Sequence, residues 1–140
     1  FIDGIAEFIH NLNIMGYKII IVTNQRGIAL GKLSPYNLTN IHIQMVKVLK
    51  SKNAFIDDIF ICSHDIGKCN CRKPDIGLFL QAEEKYDIDK SRSFMIGDSE
   101  SDILAGMRYG IKSILFGEKK DNILYCYDNF PDLLSFIKKA

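Results

Sequence analysis

Short, strongly apolar segments alternate with amphipathic segments along almost the whole chain. The clearest apolar segment, Tyr17–Thr23, is rich in β-branched residues, which is typical of a strand buried on both faces of a sheet. The segments on either side carry apolar residues at helical spacing, between Ile5 and Leu12 and again between Leu38 and Leu49. Because strands that alternate with helices form parallel sheets, this pattern predicts an α/β fold.

The remaining elements are predicted from the same alternation. Further strands are expected at Ile59–Ser63, Ser93–Gly97 and Lys112–Phe116, with a short strand near Leu124. Helices are expected at Pro74–Tyr86, at Ser99–Tyr109 and from Pro131 onwards, and Gln25–Pro35 is expected to be a glycine-bearing loop. Gly16 and Gly110 are expected to end the helices that precede them. With 140 residues, the chain is long enough to form one domain with its own core.

Composition argues against several classes of protein. Lysine and arginine number 18 and aspartate and glutamate 17, so the chain has no bulk positive charge for binding nucleic acid. The longest apolar run, Ile19–Val22, is too short to cross a bilayer. There is no cationic, apolar leader and no disulfide pattern, so a reducing cytoplasm is the expected location.

Three of the four cysteines and one histidine fall within one short loop, as Cys62, His64, Cys69 and Cys71. Zinc prefers four tetrahedral ligands drawn from thiolates and imidazoles, so this spacing predicts a structural zinc site. A disulfide is the alternative, but a Cys62–Cys69 bridge would leave one cysteine over, and Cys69 and Cys71 are too close to bridge comfortably. The distant Cys126 is expected to be an ordinary buried thiol.

Polar side chains follow three of the predicted strands, where parallel α/β sheets bind their ligands. These residues are Thr23, Asn24 and Gln25, then Arg72 and Lys73, then Asp98 and Asp102. Hydroxyl and ammonium groups suit phosphate oxygens, and carboxylates suit magnesium, so the set predicts a phosphoryl-transfer site. Each residue also has a simpler interpretation. Asp98 would cap the following helix, for example, and Asp102 would complement its dipole.

Three motifs together resemble those of the haloacid dehalogenase (HAD) superfamily. They are the segment from Val22 to Ala29, the cysteine- and histidine-bearing loop that runs into Arg72-Lys73-Pro74, and Gly97-Asp98-x-x-x-Asp102. Within the superfamily they are most similar to the D-glycero-D-manno-heptose 1,7-bisphosphate phosphatases and the related histidinol-phosphate phosphatases. The resemblance runs from Phe1 to about Gly117 and so covers most of the chain.

This resemblance implies a single HAD-like phosphatase domain over residues 1–140, with a Rossmann-like three-layer core and no cap domain. It implies a magnesium-dependent phosphatase that acts on a phosphate monoester of a small sugar phosphate through an aspartyl-phosphate intermediate. The expected reaction is removal of the 7-phosphate from heptose bisphosphate in lipopolysaccharide biosynthesis, by a cytoplasmic monomer without nucleic-acid or membrane partners. A histidinol-phosphate phosphatase, or a non-catalytic zinc-containing protein that binds phosphorylated ligands, is the alternative. A DNA 3′-phosphatase is disfavoured, because no basic stripe with interleaved aromatic residues is present.

The resemblance also implies a role for each matching residue. Thr23 and Lys73 would hold the transferring phosphoryl group, and Asp98 would bind magnesium with support from Asp102. The residues expected to contact phosphate or sugar are Asn24, Gln25 and Arg72, and those expected to bind zinc are Cys62, His64, Cys69 and Cys71.

The sequence departs from the family pattern in three places. The family's nucleophile lies in an Asp-x-Asp motif upstream of the first helix, and this sequence begins after that point. The 140-residue chain is therefore expected to be truncated at its N-terminus and inactive by itself. Leu30 stands where many heptose enzymes have arginine, and Ser99 replaces a frequent lysine. These two differences leave the substrate open, although the Gly27-Ile28-Ala29 segment favours the heptose.

Overall fold

The computed structural model describes residues 2–64 and 69–140. Residues 65–68, in the middle of the predicted zinc loop, and Phe1 lie outside the described part of the chain. The chain forms two compact units, Phe1–Cys69 and Asn70–Ala140. Both contain parallel strands and helices, so the predicted α/β class is confirmed. Over the two described ranges, every helix is too short or too polar to cross a membrane.

Over its described residues, the first unit contains one pair of parallel strands and three helices. These are α1 (Ile5–Ile14), β1 (Ile20–Asn24), α2 (Arg26–Ala29), α3 (Pro35–Ser51) and β2 (Asp58–Cys62). The register places Asn24 of β1 opposite Cys62 of β2, so both strands reach their carboxyl ends together. The residues that follow Asn24 and Cys62 therefore leave the sheet side by side.

Apolar residues of α1 and α3 form the core of the first unit. The buried residues Ile9, Leu49 and Ala54 form its centre, with partly buried side chains packed around them. The predicted stripe on α3 is only partly covered, because Ile41 and Val48 are 55% and 40% exposed. As expected, α1 ends at a glycine in the left-handed region; the φ of Gly16 is 89°.

Two features of the first unit differ from expectation. Strand β1 begins at Ile20 instead of Tyr17 and is half-buried. The chain leaves α1 through a turn in which Tyr17 N donates to Leu12 O. Ile19 N then donates to the side chain of Asp57, so pairing with β2 starts at Ile20. The predicted loop contains α2, whose single turn is too short to show apolar periodicity.

The second unit contains a three-stranded parallel sheet with β4 in the middle. Its elements are α4 (Gly77–Lys85), a 3-10 turn (Lys90–Arg92), β3 (Phe94–Gly97), α5 (Glu100–Tyr109), β4 (Lys112–Phe116), β5 (Tyr125–Tyr127) and α6 (Phe130–Lys139). Helix α5 packs so tightly on the sheet that a Cβ on Gly106 would lie 2.1 Å from Ser113 Oγ. Cys126, expected to be buried, is half-buried in β5, and its thiol donates to Ile123 O at 3.6 Å.

Helix α4 begins at Gly77, three residues later than predicted from Pro74. The reason is that the backbone just upstream folds back on Gly77, because Gly77 N donates to Asn70 O at 3.1 Å and a Cβ on Gly77 would lie 2.6 Å from Cys71 Cα. Pro74 instead follows a cis peptide bond in a turn that is closed by a bond from Asp75 N to Arg72 O. Arg72 and Lys73 are therefore held in a folded loop immediately before the helix.

Candidate active site

In the first unit, the carboxyl ends of β1 and β2 bring predicted phosphate-binding residues next to a predicted zinc ligand. Asn24 lies opposite Cys62 in the sheet, and Gln25 N donates to Cys62 O at 2.6 Å. The side chain of Gln25 turns back, and its Nε2 donates to Thr23 Oγ1 at 3.0 Å. The three residues after the apolar part of β1 are thus ordered as a group and tied to the end of β2.

Three of the four predicted zinc ligands meet at this end of the first unit. Cys62, His64 and Cys69 each place one donor atom within 4.8 Å of the others. Cys62 Sγ lies 3.3 Å from Cys69 Sγ and 3.8 Å from His64 Nδ1, and none of the described cysteines forms a disulfide. Cys71, the fourth predicted ligand, is buried and follows Cys69 by two residues in the chain. Thiolates with an imidazole form a donor set that fits zinc.

In the second unit, Lys73 and Asp102 form a buried ion pair. Lys73 Nζ donates to Asp102 Oδ1 at 2.5 Å, and the two side chains are 10% and 9% exposed. The other oxygen of the carboxylate, Oδ2, accepts a bond from Ser99 N at 3.3 Å. Both oxygens of Asp102 therefore have defined partners, and the ammonium group of Lys73 is held in one place.

Asp98 and Asp102 lie in different environments, although they belong to the same motif. Helix α5 is capped by Ser99, whose Oγ accepts a bond from Asp102 N, so the interpretation of Asp98 as the cap is wrong. Asp102 closes the reciprocal half of this capping box, as well as pairing with Lys73. Asp98 is exposed directly after β3. Its carboxylate is therefore open to solvent, whereas that of Asp102 is bonded to protein groups.

Arg72 carries a buried donor atom. This atom, Nη1, has no hydrogen-bond partner among the described residues. An unsatisfied buried donor is costly to stability, and most such donors in native proteins are satisfied by protein groups, water or a ligand. A guanidinium group in this state suits an anion with several acceptor oxygens, such as a phosphate.

Two contributors to the site were not identified as such from the sequence. Ser99 departs from the family pattern, but Ser99-x-x-Asp102 has the spacing of a capping box, which predicts its role as the helix cap. Gly97 belongs to the Gly-Asp motif and also leaves room for the Asp102 side chain, since a Cβ on Gly97 would lie 2.4 Å from Asp102 Oδ2. Local spacing reveals the first of these contributions, whereas the second depends on tertiary packing.

Replacing Gly97 with alanine is expected to push Asp102 away from its present position. We expect this overpacking to lower the free energy of unfolding by roughly 1–3 kcal/mol and to weaken the Lys73–Asp102 pair. Urea denaturation of the full-length natural protein measures the change. Gly27→Ala is the matched control, because a Cβ on Gly27 meets only Leu33 Cβ, at 3.5 Å. Equal stability of the two variants would contradict the close approach.

The chain is similar to known hydrolases of the HAD-like family. Residues 70–122 match the HAD-hydrolase-like family. The D-glycero-beta-D-manno-heptose-1,7-bisphosphate 7-phosphatase of Pasteurella multocida is 36% identical over 99% of this chain and 83% of its own length. The D-glycero-alpha-D-manno-heptose-1,7-bisphosphate 7-phosphatase of Campylobacter jejuni is 34% identical over 99% of this chain and 82% of its own length.

A solved structure supports the fold. The D,D-heptose 1,7-bisphosphate phosphatase of B. bronchiseptica, complexed with magnesium and phosphate, matches with a TM-score of 0.87 and 24% identity. The match covers 99% of this chain and 84% of that one, so it shows the fold over nearly the whole sequence. The resemblance found in the motifs is confirmed: the chain belongs to the HAD-like hydrolases and, within them, to the family of the D-glycero-D-manno-heptose-1,7-bisphosphate 7-phosphatases.

Proposed function

We propose that the protein is a magnesium-dependent phosphatase that removes the 7-phosphate from D-glycero-D-manno-heptose 1,7-bisphosphate. The observation that carries this proposal is the buried Nη1 of Arg72, which has no hydrogen-bond partner within residues 2–64 and 69–140 and precedes the paired Lys73 in the chain. A phosphate group brings the acceptor oxygens that this donor lacks. The names of the relatives from P. multocida and C. jejuni support the choice of sugar.

Each residue in the proposal acts through ordinary electrostatics. Thr23 would donate its hydroxyl hydrogen to the transferring phosphoryl group, and Lys73 would balance the charge that grows on its oxygens. Asp102 keeps the ammonium group of Lys73 in place, as the 2.5 Å contact indicates. Asn24 and Arg72 would contact the rest of the phosphate or the sugar. The family resemblance implies that an aspartate accepts the phosphoryl group before water does.

Magnesium fits the acidic part of the site. Asp98 would hold the ion, because an exposed carboxylate at the end of β3 is the oxygen donor that a hard cation prefers. When bound, the ion would neutralise charge on the phosphate oxygens. Asp102 would support this site through Lys73, since both of its oxygens are already bonded to protein groups. The magnesium in the B. bronchiseptica structure supports magnesium as the ion.

Zinc fits the cluster that contains Cys62, His64 and Cys69, and we propose Cys71 as the fourth ligand. The ion would have a structural role, because it would order the segment that leads into Arg72. It would take no part in the reaction itself. A zinc site built from thiolates needs reduced cysteines, which a reducing compartment maintains, so we propose a cytoplasmic location. We also propose that the protein is a monomer.

Phosphate release by the full-length natural protein tests the proposed reaction. The alpha and beta anomers of the heptose bisphosphate and histidinol phosphate should be compared, each with and without magnesium. We expect magnesium-dependent release from at least one heptose anomer, at higher kcat/KM than from histidinol phosphate. If no sugar phosphate is hydrolysed, a non-catalytic phosphate-binding protein becomes the better description.

Replacing Arg72 with methionine is expected to raise KM by about 10- to 100-fold, because a charged hydrogen bond to phosphate is worth roughly 1.5–3 kcal/mol. The melting temperature should stay the same or rise, since the buried donor has no partner among the described residues to lose. Arg92→Met, at an exposed position in the 3-10 turn, is the matched control and should change neither quantity. A fall in stability with unchanged KM would show that Arg72 is structural.

A further inference from the structure

Gln25 is held by two hydrogen bonds to groups of the first unit. Its backbone N donates to Cys62 O at 2.6 Å, and its side-chain Nε2 donates to Thr23 Oγ1 at 3.0 Å. The first bond fixes the residue at the end of β2, and the second directs its amide nitrogen to the hydroxyl that precedes it by two residues. The sequence suggested direct contact with substrate, but this geometry gives the side chain a partner within the protein.

The bond to Thr23 determines what the hydroxyl can do. An amide NH₂ group can only donate, so Thr23 Oγ1 uses a lone pair to accept from Gln25. A hydroxyl has a single hydrogen, and that hydrogen is then left to donate to another group. Because threonine is β-branched, its χ1 angle is also restricted. Thr23 is therefore set up as a donor, and an ionised phosphate oxygen is an acceptor.

We infer that Gln25 is a positioning residue, which acts on the phosphate through Thr23. It sets the direction of the Thr23 hydroxyl hydrogen, and its backbone bond to Cys62 ties that direction to the cysteine and histidine cluster. This inference rests on the proposed function, since it assumes that Thr23 binds the phosphoryl group.

A double-mutant cycle on the full-length protein tests the inference. Thr23→Val keeps the shape and removes the hydroxyl, and we expect it to lower kcat/KM by about 100-fold. Gln25→Ala should lower kcat/KM by about 5- to 10-fold, as for one neutral hydrogen bond. The double variant should match Thr23→Val within about twofold, because Gln25 has nothing to orient once the hydroxyl is gone. A further loss equal to the Gln25→Ala effect would overturn the inference, as would a Gln25→Ala variant with full activity.

Gln25→Glu supplies a pH-dependent measurement that a packing role would not give. An ionised carboxylate accepts the Thr23 hydrogen and turns it away from the phosphate, so the variant should be slower than Gln25→Ala near neutral pH. Its activity relative to the unmodified protein should recover as the pH falls towards the ordinary glutamate pKa of about 4.3, because the protonated acid can donate again. A ratio that stays constant between about pH 5 and pH 8 would count against the inference.

Binding of inorganic phosphate separates this inference from the proposed function. Calorimetric titration with phosphate and magnesium measures phosphate affinity for the unmodified protein, the two single variants and the double variant, without any turnover. The melting temperature of each variant shows that it is folded. Absence of hydrolysis by the unmodified protein counts against the proposed reaction. Additive effects of the two substitutions on phosphate affinity count against the positioning role, whether or not the protein is an active enzyme.

Discussion

Cys69→Ser is expected to abolish stoichiometric zinc binding and to cause a large loss of stability in the full-length protein. Cys69 Sγ lies 3.3 Å from Cys62 Sγ, and serine cannot replace a thiolate as a zinc ligand. Structural zinc is worth about 10–16 kcal/mol of apparent binding free energy in small zinc-dependent domains, so zinc bound at the proposed site would supply a large share of the stability. Zinc content per chain, measured by atomic emission, and the thermal unfolding temperature report the two effects.

Cys126→Ser is the matched control for this prediction. Cys126 lies in β5, and its thiol contacts the carbonyl oxygens of Lys120 and Ile123, so it takes no part in the cluster of the first unit. The control should keep its zinc and unfold close to the temperature of the unmodified protein. Zinc that is retained by Cys69→Ser, or lost equally from both variants, would exclude the proposed ligand set. A strong chelator should reproduce the Cys69→Ser effect without any substitution.

Lys73→Met is expected to lower kcat/KM by about 1,000-fold, at the upper end for removal of one group that stabilises transition-state charge. It should also destabilise the fold by roughly 3–5 kcal/mol, because Asp102 is left as an unpaired charge in a buried place. Steady-state kinetics on the heptose bisphosphate and urea denaturation measure the two effects separately.

Two further variants separate catalysis from stability. Adding Asp102→Asn to Lys73→Met removes the unpaired charge and should restore part of the stability, but none of the activity. Lys120→Met is the control. Lys120 Nζ lies 3.4 Å from Glu100 Oε1, and the two side chains are 45% and 61% exposed. Such surface pairs contribute only about 0–1 kcal/mol, so we expect little change in either quantity. Full activity of Lys73→Met would refute the role assigned to Lys73.

Much of the fold was predictable because its signals are local. Gly16 and Gly110 end α1 and α5 in the left-handed region, as expected for residues that lack a Cβ. The start of α4 was not predictable, because the backbone at Asn70 approaches Gly77 and prevents the helix from starting at Pro74. Such an approach joins segments that the pattern of apolar residues does not relate to one another.

The sequence by itself determined which chemical groups are available and roughly where they lie. The thiols and imidazole fall within one loop, and polar residues follow the strands, because both features depend only on spacing along the chain. Tertiary structure decided which partners each group has. Lys73 meets Asp102 across 29 positions, so the carboxylate of Asp102 is engaged by protein groups, whereas Asp98 is exposed. A role depends on which hydrogen-bond partners a side chain has, and partners that are distant in sequence come together only when the chain is folded.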